Sequence, residues 1–75
     1  MAETPRQMCQ RHVTEGTARL ERQRRLIQRL EDDGREAILP AARDLLERML
    51  DFQRDAEAHL AAEQEKEAGP TLSGL

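Results

Sequence analysis

Residues 30–40 read Leu30-Glu31-Asp32-Asp33-Gly34-Arg35-Glu36-Ala37-Ile38-Leu39-Pro40, and this stretch divides the chain into two long helical segments. Asp33-Gly34 is a turn signal, and Gly34 suits the left-handed position just past a helix C-terminus. Pro40 is excluded from a helix interior but accepted in a first turn, where amides have no intrahelical partner. The reading is a first helix over about 5–32, a turn over about 33–36 and a second helix over about 37–67. Upstream, Thr4-Pro5-Arg6-Gln7 combines a capping hydroxyl, proline at the first helical position and glutamine at the third, which is a capping box. Downstream, Gly69-Pro70 stops the second helix. Residues 1–68 are therefore expected to form one helical hairpin, and residues 69–75 a disordered C-terminal tail.

Apolar spacing gives the two segments a common geometry. Cys9, Val13, Gly16, Leu20, Gln23, Ile27 and Leu30 alternate steps of four and three, as do Ile38, Ala42, Leu45, Met49, Phe52, Ala56 and His59. Two such stripes joined by a short turn predict an all-α, antiparallel coiled-coil hairpin with helices of about 42 and 46 Å. Leu39, Leu46 and Leu60 each sit one position after a seam residue, and Leu26 widens the first helix in the same way. The apolar surface is then wider than one neighbouring helix covers. A second copy, giving a homodimeric four-helix bundle, is the expected cover; another protein bound to the leucine face of the second helix is the alternative. Val13, Leu20, Leu26, Ile27, Leu30, Ile38, Leu39, Leu45, Leu46, Met49, Phe52 and Leu60 are the expected core or interface residues.

Composition narrows the function classes. Ten of the chain's 75 residues are alanine and 36% are charged, so few large side chains are left to enclose a catalytic pocket. No Ser/His/Asp set, phosphate-cradling glycine loop or paired catalytic carboxylates can be made out, so neither an enzyme nor a cofactor is expected. No apolar run approaches the length of a membrane span, and the N-terminus carries no secretory signal pattern. A single cysteine fits a reducing compartment, with the cytoplasm as the expected location. One phenylalanine and no tryptophan or tyrosine leave little to stack on single-stranded nucleic acid.

Charge is divided between the helices. Residues 16–30 hold five arginines against Glu21 alone, a net of +4, whereas residues 35–75 hold five bases against nine acids, a net of −4. This asymmetry favours antiparallel pairing and biases how hairpins dock. Glu15–Arg19, Glu21–Arg25 and Asp44–Arg48 are spaced for ion pairs along the helices.

The stretch His12–Gly34, HVTEGTARLERQRRLIQRLEDDG, resembles the first helix of a group of small bacterial proteins of unknown function. The matching positions are His12, Val13, Glu15, Gly16, Arg19, Leu20, Arg22, Gln23, Leu26, Ile27, Leu30 and Gly34. The resemblance implies a helical hairpin and no particular activity. After Gly34 the chain departs from the group, carrying Glu36-Ala37 and Pro40 where a helix-capping Asp-Thr is usual.

Two further constellations bear on function. Arg11, Arg22, Arg25 and Arg29 are expected on the outward face of the first helix, where a row of guanidinium groups could follow phosphates of RNA. The net charge of −3, with Glu15 and Glu21 beside the row, weighs against that reading. At the open end, Cys9, His12, His59 and Glu63 offer thiolate, imidazole and carboxylate from facing helices, a ligand set that zinc accepts. Their spacing matches no metal signature, and a solvated edge of the seam is the simpler reading. Glutamine at 23 and glycine at 16 are expected to fix register and allow close approach of the backbones.

Overall fold

The computed structural model describes residues 2–68; the tail expected over 69–75 lies outside them. Helix α1 spans Pro5–Asp32 and helix α2 spans Leu39–Ala68, with no strand among the described residues. The capping box forms as expected, with Thr4 Oγ1 accepting from the Gln7 amide at 3.1 Å and Gln7 Oε1 from the Thr4 amide at 2.9 Å. At the other end of α1, the Arg35 amide donates to the Leu30 carbonyl at 2.9 Å and the Gly34 amide to the Glu31 carbonyl at 3.1 Å. This is the Schellman arrangement, and it places Gly34 at φ +69°. The connection runs two residues further than the expected 33–36, so that α2 opens at Leu39 with Pro40 in its first turn.

The two helices pack antiparallel into a slab of about 60 × 29 × 14 Å. A slab one helix thick leaves both broad faces of the pair in water. The tightest packing lies near the turn, where Ile27, Leu30, Leu39 and Ala42 are buried together and Leu46 closes over them. Further along, Leu20, Cys9 and two glutamines, Gln23 and Gln53, are buried in the seam.

The α1 seam is the one expected, through Cys9, Val13, Gly16, Leu20, Gln23, Ile27 and Leu30. The α2 seam is not. It runs through Leu39, Ala42, Leu46, Met49, Gln53, Ala56 and Leu60, so every second seam position is shifted by one residue from the expected Ile38, Leu45, Phe52 and His59. The contrast is sharp at the turn, where Leu39 is 7% exposed and Ile38 47%. Two buried glutamines hold this register. Gln23 Nε2 donates to the Ala42 carbonyl at 2.8 Å, and Gln53 Nε2 donates to the Val13 carbonyl at 2.9 Å and to Thr17 Oγ1 at 3.1 Å. Gln53 fits because the facing residue is Gly16, where any Cβ would overlap the glutamine amide.

Candidate interaction surface

The displaced residues gather on one broad face of the hairpin. Ile38, Leu45, Phe52 and His59 recur every seven residues, and a step of seven is close to two full helical turns, so they form a line along α2. Ile38, Leu45 and Phe52 are all exposed, and Phe52, the chain's only aromatic side chain, is 73% exposed. From α1, Leu26 and Met8 are exposed as well. His12 and Arg19 border the same line, since both share a hollow with Phe52. On the opposite broad face, Arg43 and Glu31 bridge the helices in an ion pair at 3.0 Å. The hairpin thus has one bridged, polar flank and one apolar flank.

Such a distribution has a physical meaning. Isolated apolar side chains are ordinary on a surface, but a regular row of large ones along a single helix costs hydration free energy unless something covers it. The row has the heptad period of a coiled-coil seam, which is the pattern another helix recognises.

The open end brings together part of the expected metal-ligand set. Cys9, His12 and His59 line one hollow with Met8, Phe52, Asp55 and Ala56. Cys9 is a buried free thiol turned into the seam, while Glu63 pairs with Lys66 at 3.2 Å and does not line this hollow. Among the described residues no group of three or more His, Cys, Asp or Glu is placed to hold a metal ion.

The arginine row separates into two parts. Arg11 is engaged by two carboxylates, with Nη1 on Glu15 at 3.0 Å and Nε on Glu3 at 3.1 Å. Arg22, Arg25 and Arg29 are exposed and make no ion pair among the described residues. The expected pairs Glu15–Arg19, Glu21–Arg25 and Asp44–Arg48 do not form; Arg11 takes Glu15 instead, and the rest stay solvated, as exposed pairs contribute little. At the chain ends, Arg6 pairs with Glu67 and ties the start of α1 to the end of α2.

No helix of the described residues is long and apolar enough to cross a membrane. No family model, curated protein or solved structure matches this chain. The likeness of His12–Gly34 to small bacterial proteins therefore rests on the pattern of the first helix, and the hairpin it implies is the fold observed.

Proposed function

We propose that the chain is a non-catalytic assembly module that pairs with a second copy of itself through the apolar flank. One observation carries this reading: Ile38, Leu45 and Phe52 lie exposed in a heptad row on a hairpin only about 14 Å thick. Stacking two such slabs would cover both rows at once and give a four-helix bundle, in which each hairpin supplies the missing layer of the other. Charges beside the apolar row support the same partner, because Arg22 and Arg48 of one sign and Glu15 and Asp55 of the other make the surface self-complementary. The single buried free thiol fits a reducing cytoplasm.

The test is absolute mass in solution by light scattering over a concentration series. The expected mass is twice the chain's 8.6 kDa, and Phe52→Glu is expected to return it to the monomer value with helicity retained. A monomer at every concentration overturns the reading and leaves the flank to a different protein.

A second reading, binding of RNA phosphates, is supported by the solvated guanidinium groups of Arg22, Arg25 and Arg29. It requires an RNA mobility shift that weakens steeply with salt and is lost when all three arginines are replaced. A shift indifferent to those substitutions excludes the row as the cause.

A further inference from the structure

We infer that the second copy docks with its turn at the opposite end of the bundle, on a twofold axis at the level of Phe52. This inference rests on the self-assembly reading and adds the orientation, which the charges bordering the apolar row specify.

The exposed charged residues flanking the apolar face include Glu15 and Arg22 on α1 and Arg48 and Asp55 on α2, one helical turn from His12, Leu26 and Phe52. The register fixed by Gly16 against Gln53 and by Gln23 on the Ala42 carbonyl sorts them into two levels. Arg22 and Arg48 share the level nearer the turn, which is positive. Glu15 and Asp55 share the level nearer the open end, which is negative. The levels are about 10 Å apart, seven residues at about 1.5 Å each. Arg22, Arg48 and Asp55 have no ion-pair partner within the chain among the described residues, and Glu15 is shared with Arg11.

Two hairpins can stack their apolar flanks in two symmetric ways. With both turns at one end, α1 of each copy lies over α2 of the other at the same height. Arg22 then meets the partner's Arg48 and Glu15 meets the partner's Asp55, placing like charge on like charge at both levels. With turns at opposite ends, α1 lies over α1 and α2 over α2, each pair antiparallel. Arg22 then meets the partner's Glu15, and Arg48 meets the partner's Asp55, each contact occurring twice by symmetry. The axis falls midway between the levels, where the two Phe52 rings meet. Arg19 is the one cation this arrangement brings near its own copy. It already borders the hollow that Phe52 lines, where an aromatic face attracts a guanidinium. Repulsion at two levels against attraction at both decides the orientation.

The experiment measures electron–electron distance between nitroxide labels in the full-length chain. Arg35→Cys carries the label in the turn, in a Cys9→Ala background, and the mass is checked on the same sample. Phe52 lies about 25 Å along the helix axis from the turn, so opposed turns place the labels about 50 Å apart. Turns at one end place them about 20 Å apart, two helix diameters. A dimer mass with a separation near 50 Å supports the inference; a dimer mass with any much shorter separation overturns the orientation and leaves self-assembly standing. A monomer mass overturns self-assembly itself. Charge reversal gives an independent reading of sign. Arg48→Glu is expected to weaken the dimer about fivefold through its two symmetric contacts, and adding Asp55→Arg to restore it. Tighter association of Arg48→Glu alone would mean that Arg48 faces the partner's Arg22, which overturns the inference.

Discussion

Gly16 of α1 and Gln53 of α2 form a lock-and-socket pair across the seam. The absent side chain of the glycine is the space that the Gln53 amide occupies, and from there Gln53 Nε2 reaches the Val13 carbonyl at 2.9 Å and Thr17 Oγ1 at 3.1 Å. At 5% exposure, Gln53 is the most buried residue of α2, so its polar group depends on these two acceptors. The pair also determines which side of α2 faces α1, because with Gln53 in the seam Phe52 must point out of it.

Gly16→Ala separates propensity from packing. Alanine in a helix interior is intrinsically better than glycine by about 1 kcal/mol. Here its Cβ would displace the Gln53 amide and forfeit two part-buried hydrogen bonds, each contributing about 1 kcal/mol with a further penalty for a stranded polar group. The expected net effect is destabilisation of about 1–2 kcal/mol in thermal melts followed by circular dichroism. Combining it with Gln53→Ala removes the conflict, so the double variant should be more stable than the sum of the single changes implies. Simple additivity would show that the two residues do not interlock.

Leu39 and Leu45 are expected to behave as members of different surfaces. Leu39 is buried in the cluster at the turn, and truncation to alanine should cost about 2–4 kcal/mol at any protein concentration. Leu45 is 48% exposed on the apolar flank, so Leu45→Ala should weaken association and make the melting temperature more dependent on concentration. Equal, concentration-independent losses at both positions would place Leu45 in the seam after all.

Gly34 is required by the connection rather than by packing. Its φ of +69° satisfies the Schellman hydrogen bonds, and no atom stands within 4 Å of where a Cβ would be. Gly34→Ala should therefore cost about 1 kcal/mol from backbone strain alone, with Gly34→Asn costing less. Equal melting temperatures for the wild type and both variants would argue that the turn does not hold this conformation.

The punctuation of the chain is legible because capping is local chemistry. Thr4, Gln7 and Gly34 declare the ends of α1 through groups a few residues apart, and each forms the contact its type implies. The α1 seam is legible for a related reason, since only one stripe of that helix, interrupted by Gln23 alone, is apolar or small. On α2 two stripes compete. Ile38, Leu45 and Phe52 form one, Leu39, Leu46 and Leu60 the other, and both share Ala42, Met49 and Ala56 at identical spacing. The choice between them depends on a polar residue, Gln53, and on the space above Gly16, neither of which registers in a count of apolar positions. The candidate surface was legible as a surplus of apolar side chains, while which of them formed the surplus depended on a contact between residues 37 positions apart in the chain.

The entry to α1 carries a contact sensitive to pH. Both nitrogens of the Arg11 fork engage Glu3, Nε on Oε2 and Nη2 on Oε1, each at 3.1 Å. Donation from this fork draws the Glu3 carboxyl below its ordinary value of 4.5; desolvation opposes that fall, and the charges of Arg11 and His12 add to it. A carboxyl depressed in the folded state binds fewer protons there than in the unfolded chain. Its contribution is therefore complete above 4.5 and lost as the pH falls through the lowered value. Glu3 is exposed, so the effect belongs to the N-terminal residues rather than to global stability. Carbon-detected NMR of the Glu3 carboxyl should show a midpoint below 4.5, rising toward that value in Arg11→Gln, with the amide of Thr4 shifting over the same range. A midpoint at or above 4.5 in the unaltered chain would mean that the Arg11 fork does not hold Glu3 in solution.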